Sequence, residues 1–310
     1  MNIIVIVNTM TVLFGILILG YIINKLGILD EASNKKISEL VINVTSPMMI
    51  INSVCSDSIG GNKDDLIFIF LLGIALYCVL PIFARIAVKP FRLTNKDSGI
   101  YQLLLIFANT GFIGYPILQS VFGDSAIFYS SILNMPFNLL IFTYGVYLIT
   151  RDRDENISFN PKVLLNSGVV ASVIALAIYL TGIKLPSDIV KILGLVGDST
   201  IPLSMMVIGS SLALVPLKDI FMVPKIYPLA LIKLIIMPVI TYFILHLFIE
   251  NQFIIGMITI NAALPSGSMN VMLSNQYDGN TRVASVGVFI TTLASLVTVP
   301  LLVYLLGVSP

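Results

Sequence analysis

Long apolar runs alternate with short polar ones along this chain, and the apolar runs have the length a bilayer demands. A spanning helix needs roughly 20 mostly apolar residues. Ten runs fit: Ile3–Ile23, Ile37–Val54, Leu66–Val88, Gly99–Phe122, Ala126–Thr150, Val163–Thr181, Ile189–Val215, Ile226–Ile249, Phe253–Leu273 and Val283–Leu306. The connections between them are short and polar, so no soluble domain fits among them. Barrel strands would be about 10 residues long with alternating polarity, and these runs are too long for that. The pattern predicts an all-α polytopic membrane protein with ten transmembrane helices, numbered here as spans 1 to 10.

Composition agrees. Of 310 residues, 57% are hydrophobic and 11% charged, and the mean hydropathy is +1.00. A soluble domain carries roughly 25% charged residues. The net charge of +1 argues against nucleic-acid binding, which needs a concentrated basic face. The opening run has no positive region before it and no small-residue cleavage site after it, so it reads as span 1 and not as a signal peptide. Cys55 and Cys78 lack metal-ligand spacing and read as small apolar core residues.

Lys and Arg give the orientation. The odd-numbered loops carry Lys25, Lys35, Lys36, Arg85, Lys89, Arg92, Lys96, Arg151, Arg153, Lys162, Lys218, Lys225 and Arg282. The even-numbered loops carry only Lys63, Lys184 and Lys191, and Lys233 lies inside a span. The odd loops therefore face the cytoplasm and both termini lie outside it. The expected location is the inner (plasma) membrane of a bacterium.

The charged loop 151–162 divides five spans from five. The chain then reads as a first five-helix repeat, 1–150, a cytoplasmic linker, 151–162, and a second repeat, 163–310. An odd number of spans per half gives the halves opposite membrane sense, the signature of an inverted-repeat transporter. Matching interruptions support the pairing. Span 2 holds Asn43 four residues before Pro47, and span 7 holds Asp198 four before Pro202. Span 4 carries Asn109, Thr110, Gly111, Gly114 and Pro116; span 9 carries Asn261, Pro265, Ser266, Gly267, Ser268 and Asn270. Proline removes a backbone donor and clashes with the preceding turn. In lipid the freed carbonyl must find protein, water or ligand. Paired breaks in corresponding spans point to a binding site.

At these residues the chain resembles the auxin efflux carrier family, whose bacterial members are often described as malate or malonate permeases. The motifs that carry the likeness are Asn109 to Pro116, Pro265 with Ser266, Gly267 and Asn270, Lys233 with Pro238, and Asn43 to Pro47. The resemblance covers the whole chain. It implies a fold shared with bile-acid symporters and sodium/proton exchangers, in which spans 4 and 9 break and cross near the bilayer centre. It also implies an elevator-like carrier, with spans 3–5 and 8–10 moving against a scaffold of spans 1, 2, 6 and 7. A homodimer through the scaffold follows from the same resemblance. The long cytoplasmic loop of plant members is absent, which argues against auxin as the physiological substrate.

The chemistry of the breaks suits an anion. A broken helix exposes unsatisfied amides and the positive end of its dipole, a ready anion site. The amides of Asn109, Asn261 and Asn270 and the hydroxyls of Ser266 and Ser268 would orient a carboxylate. Gly111, Gly114 and Gly267 would let it approach the backbone, and Pro116 and Pro265 would hold the breaks open. Each Asn or Ser also suits a plain interhelical hydrogen bond. Ionisable residues within spans are costly. Lys233 is placed to pair with a substrate carboxylate, to snorkel to the interface or to serve a structural role. Asp198 is placed either to take up a coupling ion or to face water at a helix end, and Asn43 holds the matching position in span 2. Glu39 and His246 read as interfacial.

The expected function is secondary transport of a small organic anion through the lipid bilayer, with no cofactor. Sodium, protons or no ion at all stay open as the coupling. The sodium-coupled, bile-acid-symporter-like carrier is the nearest alternative. A membrane-embedded enzyme is disfavoured, because the sole histidine, His246, lies far along span 8 from any serine it would activate. No His, Cys and carboxylate cluster suggests a metal. A channel and a transporter-fold receptor complete the alternatives.

Overall fold

The computed structural model describes residues 3–55, 63–151, 167–214 and 221–307, without side chains at 3–10, 63–65, 95–96, 138–139 and 275–276. The loop 151–162 lies almost wholly outside the described residues, as does Lys218. Among the described residues ten helical runs follow one another. They are α1 (Ile3–Lys25), α2 (Glu31–Leu40, Val41–Thr45 and Ser46–Ser53), α3 (Lys63–Val88), α4 (Asn95–Ile106, then Thr110–Gly114 and Tyr115–Phe122) and α5 (Ser125–Leu133, Met135–Leu140, Ile141–Gly145 and Val146–Thr150). Then come α6 (Ser167–Thr181), α7 (Ser187–Asp198 and Thr200–Ala213), α8 (Ile226–Leu231, Ile232–Ile236 and Met237–Phe248), α9 (Gln252–Ala263 and Met269–Gln276) and α10 (Thr281–Leu305).

Four of these among the described residues are long and apolar enough to cross a bilayer: Leu66–Phe91, Ser187–Ala213, Ile226–Phe248 and Thr281–Leu305. The bent α5, angled by 42° at its break, makes a fifth. The remaining runs are interrupted, shorter, or only partly described. Continuous helix is what a length criterion rewards, and α4 and α9 are not continuous.

Polar side chains start the helices. Asp30, Thr94, Asn251 and Asn280 each accept a backbone N–H of the first turn, satisfying donors the helix cannot. The Asp30 carboxyl is held below its ordinary pKa by the hydrogen bonds from Ser33. Gly123, at φ +82°, ends α4 in a conformation L side chains avoid.

Wide five-residue turns interrupt three runs just before a proline: Val41–Thr45 before Pro47, Thr110–Gly114 before Pro116, and Ile232–Ile236 before Pro238. Each accommodates the missing proline N–H by widening the ladder. Two of the turns have a carbonyl that finds a hydroxyl. Ser167 Oγ donates to Ile42 O at 2.8 Å, and Ser204 Oγ reaches Phe112 O at 3.3 Å. Span 2 therefore stays a single helical run through its proline, whereas α7 breaks at one residue, Ser199.

Two apolar clusters build the core. One gathers Val88, Ile100, Phe107, Ile149, Ile226, Leu273 and Val283, at the ends of helices that meet odd-numbered loops. The other gathers Leu66, Ala108, Phe122, Ala126, Ile249, Ile254 and Leu264, toward the even-numbered loops. The boundary between them runs through the breaks: Phe107 belongs to one and Ala108 to the other. Cys78 is exposed and Cys55 half-buried, which corrects the core reading; the outer face of α3 is open. Large exposed apolar side chains such as Phe68, Ile82 and Ile86 share that face, as a lipid-facing helix requires.

Candidate functional site

The two breaks meet. Asn109 N donates to Pro265 O at 2.8 Å, and Gly267 N donates to Phe107 O at 2.9 Å. They form one rung of an antiparallel bridge between Ala108 and Ser266. Extended backbone at Phe107 and at Leu264 makes the pairing possible. A bridge inside an apolar protein satisfies backbone groups that lipid cannot.

Side chains complete the junction. Ser266 Oγ donates to Leu104 O at 2.8 Å, taking the carbonyl that Ala108 would have bonded had α4 continued. Ser266 N donates to Thr291 Oγ1 of α10 at 3.1 Å. Asn270 Nδ2 donates to Phe107 O at 2.9 Å. The Asn109 side chain caps the second half of α4, its Oδ1 accepting Phe112 N at 3.2 Å. A Cβ on Gly267 would lie 3.0 Å from Ala108 O, so glycine here permits backbone to meet backbone. Gly114 lies against Leu264 of the other break. Gly111 faces open space: a Cβ there would meet nothing within 4 Å.

Of the residues singled out from sequence, Asn109, Gly111, Gly114, Pro116, Pro265, Ser266, Gly267, Ser268 and Asn270 all belong to the two break segments. Their tasks differ. The Ser266 hydroxyl is spent inside the junction. Asn261 lies on the even-loop side, where Nδ2 donates to Met257 O at 3.1 Å and to Ser130 Oγ at 3.3 Å. Asn134 Nδ2 also donates to Ser130 Oγ, at 3.1 Å, and Tyr77 OH donates to Asn134 Oδ1 at 2.9 Å. This chain of Tyr77, Asn134, Ser130 and Asn261 was not anticipated. The one sequence signal for it is an amide at mid-span before Pro136.

What remains unspent is as informative. Among the described residues, Asn261 Oδ1, Asn270 Oδ1 and the Ser274 hydroxyl are buried without a hydrogen-bond partner. Such an atom costs about 1–3 kcal/mol when nothing fills its demand. The backbone amides of Gly111, Ser268 and Met269 make no hydrogen bond within the described residues, as expected of first-turn donors.

Lys233 is 1% exposed, the sole charged residue among the described residues to be buried. The snorkelling alternative therefore falls away. Leu229 and Met237, one turn to either side, lie in the apolar cluster that includes Phe107 and Leu273, so the lysine enters the protein on the odd-loop side of the breaks. No described carboxylate or hydrogen-bond acceptor partners it. Asp198 and Asn43 are exposed, and neither is hydrogen-bonded to the break segments among the described residues: Asn43 Oδ1 accepts Ser167 Oγ at 3.1 Å, and Asp198 ends the first half of α7. His246 is exposed, its Nδ1 3.0 Å from Tyr242 O, and Glu39 is exposed as well.

Comparison with known proteins bears on what this junction serves. A family model described as membrane transport protein matches residues 5–163 and again 153–303. The double match divides the chain near its middle. An uncharacterized transporter of Methanocaldococcus jannaschii is 25% identical over 300 residues, covering 92% of this chain and 94% of the relative. One of Methanothermobacter thermautotrophicus is 25% identical over 292 residues, covering 92% and 93%. The uncharacterized transporter YfdV of Escherichia coli is 23% identical over 305 residues, covering 93% and 94%.

Proposed function

The chain belongs to the membrane transport protein family, that of the auxin efflux carriers, and from that premise we propose that it is a secondary carrier of a small organic anion, bound where the broken α4 and α9 meet. It is a multi-pass membrane protein of a transporter family, not of an enzyme family.

The observation that carries the site is the bridge between Ala108 and Ser266. It holds two helix starts together at the boundary of two apolar clusters, with the Asn109 amide, the Gly111 and Ser268 N–H groups and open space beside Gly111. Unsatisfied amides at helix starts favour an anion. Lys233, buried with no described carboxylate to neutralise it, would supply the countercharge. In this reading all ten helical runs cross the bilayer, as two inverted halves of five, and both termini lie on the extracytoplasmic side.

The elevator division also has support. Named side-chain hydrogen bonds join helices within the expected scaffold: Asn24 Nδ2 to Ser210 Oγ at 3.0 Å, Lys25 Nζ to Ala213 O at 2.9 Å, and Ser167 Oγ to Ile42 O. Others join helices within the expected moving domain: Tyr77 to Asn134, Asn261 to Ser130, Ser266 to Leu104 and Asn280 Nδ2 to Asp97 Oδ1 at 2.8 Å. The Ser204 contact with Phe112 O joins one group to the other.

Uptake of mono- and dicarboxylates into proteoliposomes tests the reading, with the wild type beside Asn109→Ala. The variant is expected to lose uptake at least ten-fold while remaining monodisperse in detergent. Unchanged uptake would move the site away from the junction. Electrical conductance in place of saturable uptake would make the protein a channel.

A further inference from the structure

The outer face of α3 carries a pattern that transport at the junction does not use. Among the four long spans this one is the least buried: 22% of its apolar window, against 39% to 44% in the others. One stripe of it points outward throughout. Ile67, Leu71, Ile74, Cys78 and Ile82 are all exposed, and their intervals of three or four residues keep them on one helix face. Arg85 and Lys89 continue the stripe at the same intervals, and both are exposed. The apolar part faces acyl chains, and at the odd-loop end it runs into two cations.

The general bias of cations toward one side of a membrane explains a basic loop, but more than that is gathered here. The side chains of Arg85 and Lys89 make no hydrogen bond or ion pair among the described residues. Other odd-loop cations do find partners: Lys25 Nζ donates to Ala213 O and lies 5.5 Å over the Tyr21 ring, and Arg282 reaches Met222 Sδ. The charges of Arg85 and Arg151 both act on the Tyr144 hydroxyl, which brings the ends of α3 and α5 side by side. Tyr144 and the exposed Tyr147, with rings 5.9 Å apart, mark the headgroup level, where such rings settle. No carboxylate stands from Pro81 to Lys96 or from Ile141 to Arg151, and the next, Asp97, is bonded by Asn280 Nδ2. The partial negative charge at the end of α3 offsets only about half of one cation. We propose that the odd-loop ends of α3 and α5 form a site for one anionic phospholipid, its phosphate held by Arg85 and Lys89 and an acyl chain lying along the stripe from Ile82 to Ile67. A guanidinium bonds two phosphate oxygens at once, and the ammonium adds a point charge.

The test is native mass spectrometry of the full chain, released from detergent that contains equal amounts of phosphatidylglycerol and phosphatidylcholine with the same acyl chains. The wild type is expected to retain a phosphatidylglycerol, favoured over phosphatidylcholine by at least about five-fold. Arg85→Gln with Lys89→Gln should bring the two lipids to within about two-fold of each other. Lys35→Gln with Lys36→Gln removes the same charge from another odd-numbered loop, where both side chains are also exposed, and should leave the preference as in the wild type. If the Arg85 and Lys89 pair cannot be purified folded, Arg85→Gln alone carries the test, and an unchanged preference there overturns the site. Equal retention of both lipids by the wild type overturns it as well. An equal loss in both double variants would mean that charge anywhere on this side suffices, and would overturn it too. Displacement of the lipid by inorganic phosphate would make this a site for a free anion and overturn the lipid assignment. None of these readouts needs transport, so their failure leaves the carrier reading standing.

Discussion

The seam between α1 and α7 and the junction of α4 with α9 both bring backbones into contact, by opposite means. At the seam the helices stay helical and glycine removes the obstacle. A Cβ on Gly209 would overlap the Leu17 carbonyl, and one on Gly20 would overlap the carbonyl of Met206. Small residues are how helices pack closely where lipid gives no hydrophobic drive. At the junction the helices themselves stop, and extended backbone pairs across the gap. The seam leaves its ladders intact, whereas the junction leaves amides and side-chain oxygens over. Rigidity suits the first and ligand chemistry the second.

Substituting each in turn sharpens the contrast. The largest loss is expected at Gly209→Val. The new side chain meets Leu17 and Tyr21 backbone, which only movement of α1 can relieve. Overpacking of this kind costs about 3 kcal/mol, read as a lower melting temperature in detergent. A melting temperature equal to wild type would mean that the seam is looser than described. Ser266→Ala comes next. It strips the donor from the buried Leu104 carbonyl and should cost about 1–3 kcal/mol. Because the hydroxyl is spent inside the junction, the ratio of uptake between different acids should stay as in the wild type. A changed ratio would bring Ser266 into the substrate site.

Gly111→Ala reverses the pattern. Its Cβ enters open space, so stability should move by no more than about 0.5 kcal/mol. Uptake should fall several-fold, because the added methyl group occupies room beside the first turn of the helix. Normal uptake would place the anion elsewhere along the junction.

Much of this was legible in the chain. Gly, Pro and Asn inside an apolar span have few roles but to break it, so the segments Asn109 to Pro116 and Pro265 to Asn270 announce themselves. The pairing of the segments follows from their matching positions in the two halves. Which atom of each amide is spent was not legible. Asn261 looks like Asn270 in sequence, yet its partner Ser130 is 131 residues away, and nothing local points there. Lys233 shows the same limit. Its depth along the span can be read, but the side of the helix it occupies is fixed by Leu229 and Met237 packing against other runs. The wide turns before Pro47, Pro116 and Pro238 were legible as disturbances only. Whether a proline bends a helix or breaks it depends on what takes the freed carbonyl.

Ser204 offers a small effect on stability and the closest comparison of the two regions, since it ties one to the other. It stands in the same half of α7 as Gly209 and reaches Phe112 O, the carbonyl that Pro116 deprives of its usual donor. The hydroxyl also contacts Thr200 O at 2.6 Å and Ile201 O at 3.0 Å. The link to Phe112 is thus the longest of three, and losing it should cost no more than about 1 kcal/mol. Ser204→Ala should leave the melting temperature nearly unchanged and the KM of uptake as it was. If α4 moves against α7 during transport, the maximal rate should change, because the contact must break and re-form in each cycle. A rate identical to wild type would mean that α4 and α7 keep their relative position, and the moving boundary would have to be sought between other helices.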